Sequence, residues 1–302
     1  MENDYIASIR PYLKELQPLD IIPTNAQAKL GKAQVKAVIF DIYGTLIMSA
    51  SGDVDQADYH SGMIKKALMA AHYTILEDSH EVYDSIYADY GTYLKKHKTI
   101  GKDAGRAYPE VDILEVWQYV LSHAEMKGNI KINPGSDLKL FTFIFELETN
   151  HVWPMPGLKT LIDKLKESKY ELGIISNAQF YTPVIMNHFL YDLEQDGEVI
   201  EPFEKDLTIY SYKELRGKPD IALFEKLIPH LTQRGIRPDE ALFVGNDMLK
   251  DIYTAHEAGL RTVLFGGDQR SYRLRSDDER CKTLQPDFVI TELSQLSNIL
   301  NL

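Results

Sequence analysis

Cysteine is almost absent from this chain of 302 residues. Cys281 stands alone, so no intrachain disulfide can form and stability has to come from an apolar core. Its neighbours Asp277, Asp278, Glu279, Arg280 and Lys282 place it, by expectation, in a surface loop. No apolar run approaches the roughly 20 residues that a membrane-spanning helix requires. The first residues, Met1 to Tyr5, carry neither the basic nor the apolar stretch of a signal peptide. The expectation is a cytoplasmic protein with no membrane partner. Basic side chains are also in deficit, 33 against 45 acidic ones, and the net charge of −12 argues against a nucleic-acid partner. Nine histidines are scattered with no pair at metal-ligand spacing. Asp53, Asp55 and Asp58 lack the glycine and terminal glutamate of a calcium-binding loop and read as a solvated hinge.

What the chain does have is a sequence of apolar runs that end on chemistry. Val38, Ile39 and Phe40 form a short β-branched and aromatic run that stops at Asp41, with Tyr43, Gly44, Thr45 and Leu46 close behind. In an open α/β sheet, groups just past the carboxyl end of a strand face the ligand crevice. An aspartate held there is suited to act as a covalent nucleophile. Gly44 lets the backbone turn away, and Thr45 offers a hydroxyl and an N–H to an anion. Alone, the run is equally a strand followed by a polar turn.

Three further motifs follow in order. Leu172 to Ile175 run into Ser176, Asn177 and Ala178. Arg216, Gly217, Lys218, Pro219 and Asp220 place a lysine at a proline-marked helix start. Leu242 to Gly245 run into Asn246, Asp247 and, four residues later, Asp251. A strand-end aspartate, a strand-end serine, a lysine and a carboxylate pair in this order resemble the four motifs of the haloacid dehalogenase superfamily, over roughly residues 36 to 291.

That resemblance implies a hydrolase with Asp41 as nucleophile, Ser176 hydrogen-bonding a transferring oxygen and Lys218 holding Asp41 ionised. Gly44, Thr45, the Asn177 N–H and Tyr43 would line the substrate. Asp41, the Tyr43 carbonyl, Asp247 and Asp251 would hold Mg²⁺, whose hard oxygen ligands suit such a cluster. A helix N-cap plus a solvated acid is the plainer account of Asp247 and Asp251. The substrate expected is a small phosphorylated metabolite. Tyr43 departs from the pattern, because superfamily phosphomonoesterases carry a second aspartate there as general acid. Tyrosine at that place resembles the 2-haloacid dehalogenases, in which the aspartate attacks carbon without a metal. Against that alternative, the chain has no arginine between Arg10 and Arg106 and keeps both Asp247 and Asp251. A catalytically weak binding or regulatory protein is the third reading.

Strand-like runs at 171–176, 207–211, 241–245, 261–265 and 287–290 alternate with helical patterns at 158–167, 222–231 and 248–258, the last stopped by Gly259. This alternation predicts an α/β fold, a Rossmann-like parallel sheet with helices on both faces. Residues 35–48 and 154–302 are the expected core, and 49–153 an inserted cap, helical throughout. Its stripes are Ile64, Leu68 and Ala71; Val82, Ile86, Tyr90 and Leu94; Ile113, Leu114, Trp117, Val120 and Leu121, opened by Pro109 in a first helical turn; and Leu138, Phe141, Ile144, Phe145 and Leu147. Lys95, Lys96, Lys98, Lys102 and Arg106 form a basic stretch between two of these helices, with Arg106 a candidate for contacting an anionic substrate. Residues 1–34 are an extension whose Ile6, Ile9, Leu13 and Leu16 share a helical face. It docks on the core or, in a homodimer, on a second subunit.

Overall fold

Six apolar runs become six parallel strands because each is short and buried on both faces, as a sheet covered by helices requires. The structure is a computed structural model that describes residues 2–51, 59–193 and 200–302. The strands are β1 (Ala37–Phe40), β2 (Glu171–Ser176), β3 (Thr208–Tyr210), β4 (Ala241–Gly245), β5 (Arg261–Phe265) and β6 (Phe288–Ile290). Their order across the sheet is β6-β5-β4-β1-β2-β3, with every neighbouring pair parallel. The register sets Phe40 beside both Ile174 and Val244, so β1, β2 and β4 end together at one sheet edge. Beneath them, Ile39, Phe243, Phe224 and Leu227 belong to one buried cluster.

The chain divides into two compact units, Pro18–Gly52 with Val152–Leu302 and Met1–Gln17 with Asp53–His151. The first holds the sheet. The second holds α1 (Glu2–Lys14), α2 (Ser61–Ala70), α3 (His80–Asp103), α4 (Ile113–Met126) and α5 (Leu138–Thr149). In this helical unit Trp117 is the central side chain. Tyr90 stacks on it at 4.5 Å, and Phe141 and Phe145 meet it edge-on at 4.9 and 4.8 Å. Among the described residues no helix is long and apolar enough to cross a membrane.

Several expectations for these helices need correction. The insert is not helical throughout, since Thr74–Ile75 and Ile130–Lys131 pair as a short antiparallel ribbon. Pro109 precedes α4 without opening it; Asp112 is the N-cap, accepting the Leu114 N–H at 2.9 Å. The lysines at 95, 96, 98 and 102 lie on α3, which continues through the stretch read as an interhelix link, and Arg106 follows its end. Asp53, Asp55 and Asp58 lie outside the described residues. The apolar stripe of α1 rests on α5: Ile9 and Leu13 are fully buried, and Tyr5 meets Phe143 edge-on at 6.4 Å.

In the sheet unit, α6 (Leu158–Lys166), α7 (Thr182–Tyr191) and α8 (Ala222–Gln233) fill gaps between strands. The helix expected over 248–258 begins as a π-helical stretch, Met248–Tyr253, before Thr254–Glu257 closes it. Such wider turns recur where a side chain is redirected for function. Residues 18–36 run as a strap along the sheet. Lys29 pairs with Val289 through hydrogen bonds of 2.9 and 3.0 Å, covering the β6 edge. Cys281 is buried against Met248, Ile252 and Leu264, contrary to the surface loop expected, because apolar Leu284 and Tyr272 fold over it despite its charged neighbours.

Leu13→Ala tests the seating of α1. Removing a fully buried leucine should destabilise the helical unit by about 2–5 kcal/mol in a urea titration. An unchanged midpoint would show that α1 is not packed there.

Candidate active site

Asp41 follows β1 directly, and its N–H bonds the Val244 carbonyl at 2.9 Å, so β4 fixes the backbone that carries it. The chain then turns at Gly44, whose φ is +84°. A Cβ there would lie 2.6 Å from the Ser271 Cβ and 2.7 Å from the Asn246 amide, so both conformation and space demand glycine. Ser176 is the last residue of β2, and its hydroxyl is buried with no hydrogen-bond partner among the described residues. Buried polar atoms are nearly always paired, so this oxygen is a candidate to bind a ligand.

Lys218 links the motifs. Its Nζ lies 2.7 Å from Asp41 Oδ1 and 2.5 Å from Asp251 Oδ1, with all three side chains buried. It sits in the turn before α8, not in the helix; Asp220 accepts the Ala222 N–H at 3.1 Å to start that helix. Burial alone would disfavour the ammonium, but Asp251 and Asp41 outweigh it and raise its pKa. Burial pushes the Asp251 carboxyl up, with Lys218 opposing and the charges on Asp41 and Asp247 adding to the rise. The other Asp251 oxygen accepts the N–H groups of Asn246 and Asp247 at 3.0 and 2.9 Å. Gly245 makes this approach possible, since a Cβ would come within 2.4 Å of the Asp251 Cγ.

Asn177 was expected to serve through its backbone. Its side chain does something else: Oδ1 accepts the Lys218 N–H at 2.7 Å, and Nδ2 donates to the Lys218 carbonyl at 3.3 Å. The amide therefore grips the Lys218 backbone from both sides. The Thr45 hydroxyl, expected on an anion, instead donates to Asn246 Oδ1 at 3.0 Å. Asn246 in turn donates to the Ser271 carbonyl at 2.7 Å. The Tyr43 hydroxyl is 3.0 Å from the Thr182 hydroxyl. Arg106 belongs to the helical unit.

Of the residues expected to hold a metal, Asp41 and Asp251 meet at Lys218, whereas Asp247 pairs with Arg275. Among the described residues, no group of three or more His, Cys, Asp or Glu side chains is placed to hold an ion. Asp247 Oδ1 caps the π-helical stretch through the N–H groups of Leu249 and Lys250, at 2.8 and 3.0 Å. Its Oδ2 accepts from Arg275 Nη2 at 2.6 Å and Nε at 3.0 Å. Burial works against the carboxylate, yet Arg275 and the N–H donors win and hold its pKa below the usual range. Asp41 Oδ2 carries no partner among the described residues. A small hard cation fits at that oxygen, because Mg²⁺ needs only one or two carboxylates and keeps several waters. Arg275 and Ser271 were not singled out from the sequence as site residues. The only signal for Arg275 was the run of three arginines at 270, 273 and 275.

A family model described as haloacid dehalogenase-like hydrolase matches residues 35–259. The glyceraldehyde 3-phosphate phosphatase of Pyrococcus furiosus is 28% identical over 146 residues, 48% of this chain and 54% of that protein. The ribulose-1,5-bisphosphate 5-phosphatase of Halopiger xanaduensis is 27% identical over 168 residues, 56% of this chain and 65% of that one. The chain thus spans less than two thirds of either relative's length. A crystal structure of a 2-haloacid dehalogenase from Pseudomonas syringae superposes with a TM-score of 0.50 at 20% identity, covering 87% of this chain and 96% of that one, and so shares the fold.

The grip of Asn177 on Lys218 is testable. Asn177→Ala leaves two buried backbone groups without partners, at roughly 1–3 kcal/mol each. Chemical denaturation should report a loss of that order; a stability equal to wild type would show that the amide does not hold the lysine.

Proposed function

The chain belongs to the haloacid dehalogenase-like hydrolases, and from that premise we propose that it is a phosphatase of a small phosphorylated metabolite, working through Asp41. The observation that carries this reading is the buried Asp41–Lys218–Asp251 array beside the unpartnered Ser176 hydroxyl. An oxygen of the Asp41 carboxylate attacks phosphorus, the ester P–O bond breaks, and the leaving oxygen departs with its electron pair. Water then attacks the phosphorus of the aspartyl phosphate, returning the carboxylate and releasing phosphate. Lys218, 2.7 Å from Oδ1, orients the carboxylate. The same ammonium offsets charge that grows on the phosphoryl group, and Ser176 donates to one of its oxygens.

Mg²⁺ would be held by Asp41 and the Tyr43 carbonyl, with Asp251 adjacent, and would supply positive charge at the phosphoryl oxygens. No carboxylic acid stands two residues after Asp41. The hydroxyl of Tyr43, with a reference pKa of about 10, is a poor proton donor near neutrality. The absent general acid is worth about 10²–10⁴ in rate, so substrates with stable leaving groups are favoured: acyl phosphates, anhydrides and aryl phosphates.

Beryllium trifluoride with Mg²⁺ should bind in wild type and not in Asp41→Ala, as read by ¹⁹F NMR. Halide release from a 2-haloacid in chelator, with no beryllofluoride complex, would make the protein a dehalogenase. If neither signal appears in folded protein, it is a binding or regulatory protein.

A second experiment addresses Tyr43. Tyr43→Asp should raise turnover of an alkyl phosphate at least about tenfold more than that of nitrophenyl phosphate, since only the alkoxide needs a proton. Equal effects on both would remove Tyr43 from the account of leaving-group preference.

A further inference from the structure

Residues 268–275 follow β5 and lie against the turns that carry Asp41 and Asp251. The Arg273 N–H bonds the Asn246 carbonyl at 3.1 Å, and the Met248 N–H bonds the Arg273 carbonyl at 2.8 Å. The Ser271 carbonyl takes the Asn246 side chain, and the Ser271 Cβ closes the space over Gly44. The segment ends at Arg275, whose φ of +50° is unusual for a residue with a Cβ. That conformation delivers the guanidinium to Asp247 in a forked pair, with Nε and Nη2 both on Oδ2 and Nε also 3.3 Å from Oδ1. Arginine suits this geometry because its planar fork matches a carboxylate, where lysine offers a point charge.

We propose that Arg275 is a positioning residue of the Asp41 site. Its guanidinium withdraws Asp247 from the oxygens open to a cation and uses it to clamp residues 268–275 onto Asn246 and Gly44. The cation half of the proposal rests on the Mg²⁺-dependent reading above; the clamp half does not. The charges explain why both halves matter. Among the described residues Asp41 and Asp251 pair with Lys218 and Asp247 pairs with Arg275, so loss of Arg275 would add one uncompensated negative charge there. With Asp247 turned to Arg275, Asp41 Oδ2 is the oxygen left open. The clamp also ties the motifs together, since Asn246 receives the Thr45 hydroxyl on one atom and donates to Ser271 from the other.

Full-length protein carrying Arg275→Gln, Arg275→Lys or the charge-balanced Asp247→Asn/Arg275→Gln pair separates these roles. Mg²⁺ affinity is read by calorimetry, and the clamp by hydrogen exchange at the Arg273 amide. In Arg275→Gln the uncompensated Asp247 should tighten Mg²⁺ roughly tenfold, and Arg273 should lose protection. The balanced pair should return Mg²⁺ affinity to within about threefold of wild type, because no ligand has been removed. Arg275→Lys keeps the charge and loses the fork, so Mg²⁺ affinity should match wild type while Arg273 protection falls. A tenfold or larger loss in the balanced pair would make Asp247 a ligand and overturn the cation half, as would unchanged or weaker binding in folded Arg275→Gln. Unchanged Arg273 protection in Arg275→Gln and Arg275→Lys would overturn the clamp. Wild-type protein that binds no Mg²⁺ would refute the metal reading and the cation half with it, leaving exchange to decide the clamp.

Discussion

Lys218 is placed between two buried carboxylates, and that three-charge array constrains much of the sheet unit around it. Taking charges out of water is costly, and breaking a buried array by removing one partner leaves an uncompensated charge worth about 3–5 kcal/mol of destabilisation. Several local features exist to keep the three together. β1 and β4 end in register, which brings Asp41 and the Asp251 turn to one edge. Gly245 yields the space that the Asp251 carboxylate occupies. Asn177 grips the lysine's backbone so that a flexible side chain starts from a fixed point. On the proposed reading the same lysine orients Asp41, the nucleophile.

Around that centre the polar groups form a connected frame. Thr45, Asn246, Ser271, Asp247 and Arg275 link the turn after β1 to the turn after β4 and to the segment after β5. Ser176 differs from this frame, because its buried hydroxyl has no partner among the described residues. The contrast between a satisfied frame and one unsatisfied buried oxygen is what a preorganised site offers to an incoming anion.

Much of this was legible in the sequence because the signals were local. Strands buried on both faces read as unbroken apolar runs, and three of the five later ones, 171–176, 241–245 and 261–265, begin and end where expected. The motif residues Asp41, Ser176 and Asn246 were visible because each sits where such a run stops. What was not legible depends on long-range packing. Nothing near Thr45 in the chain announces that Asn246, 201 residues away, will take its hydroxyl. Arg275 meets Asp247 from 28 residues away and at a positive φ, neither of which its residue type announces. Cys281 was misplaced because charged neighbours describe one side of a turn while its other side packs on Met248 and Leu264. The lysines of α3 were misread as a link because a helix that is mostly exposed over its second half has no apolar stripe to mark its length.

The central claim is that Asp41 itself becomes covalently phosphorylated. Rapid acid quenching of the enzyme during turnover of acetyl phosphate, followed by mass spectrometry of its peptides, tests this most directly. The account predicts a phosphoryl adduct on the peptide that contains Asp41, stable in acid and lost in base. Turnover that leaves this peptide unmodified, or an adduct on another residue, would contradict it.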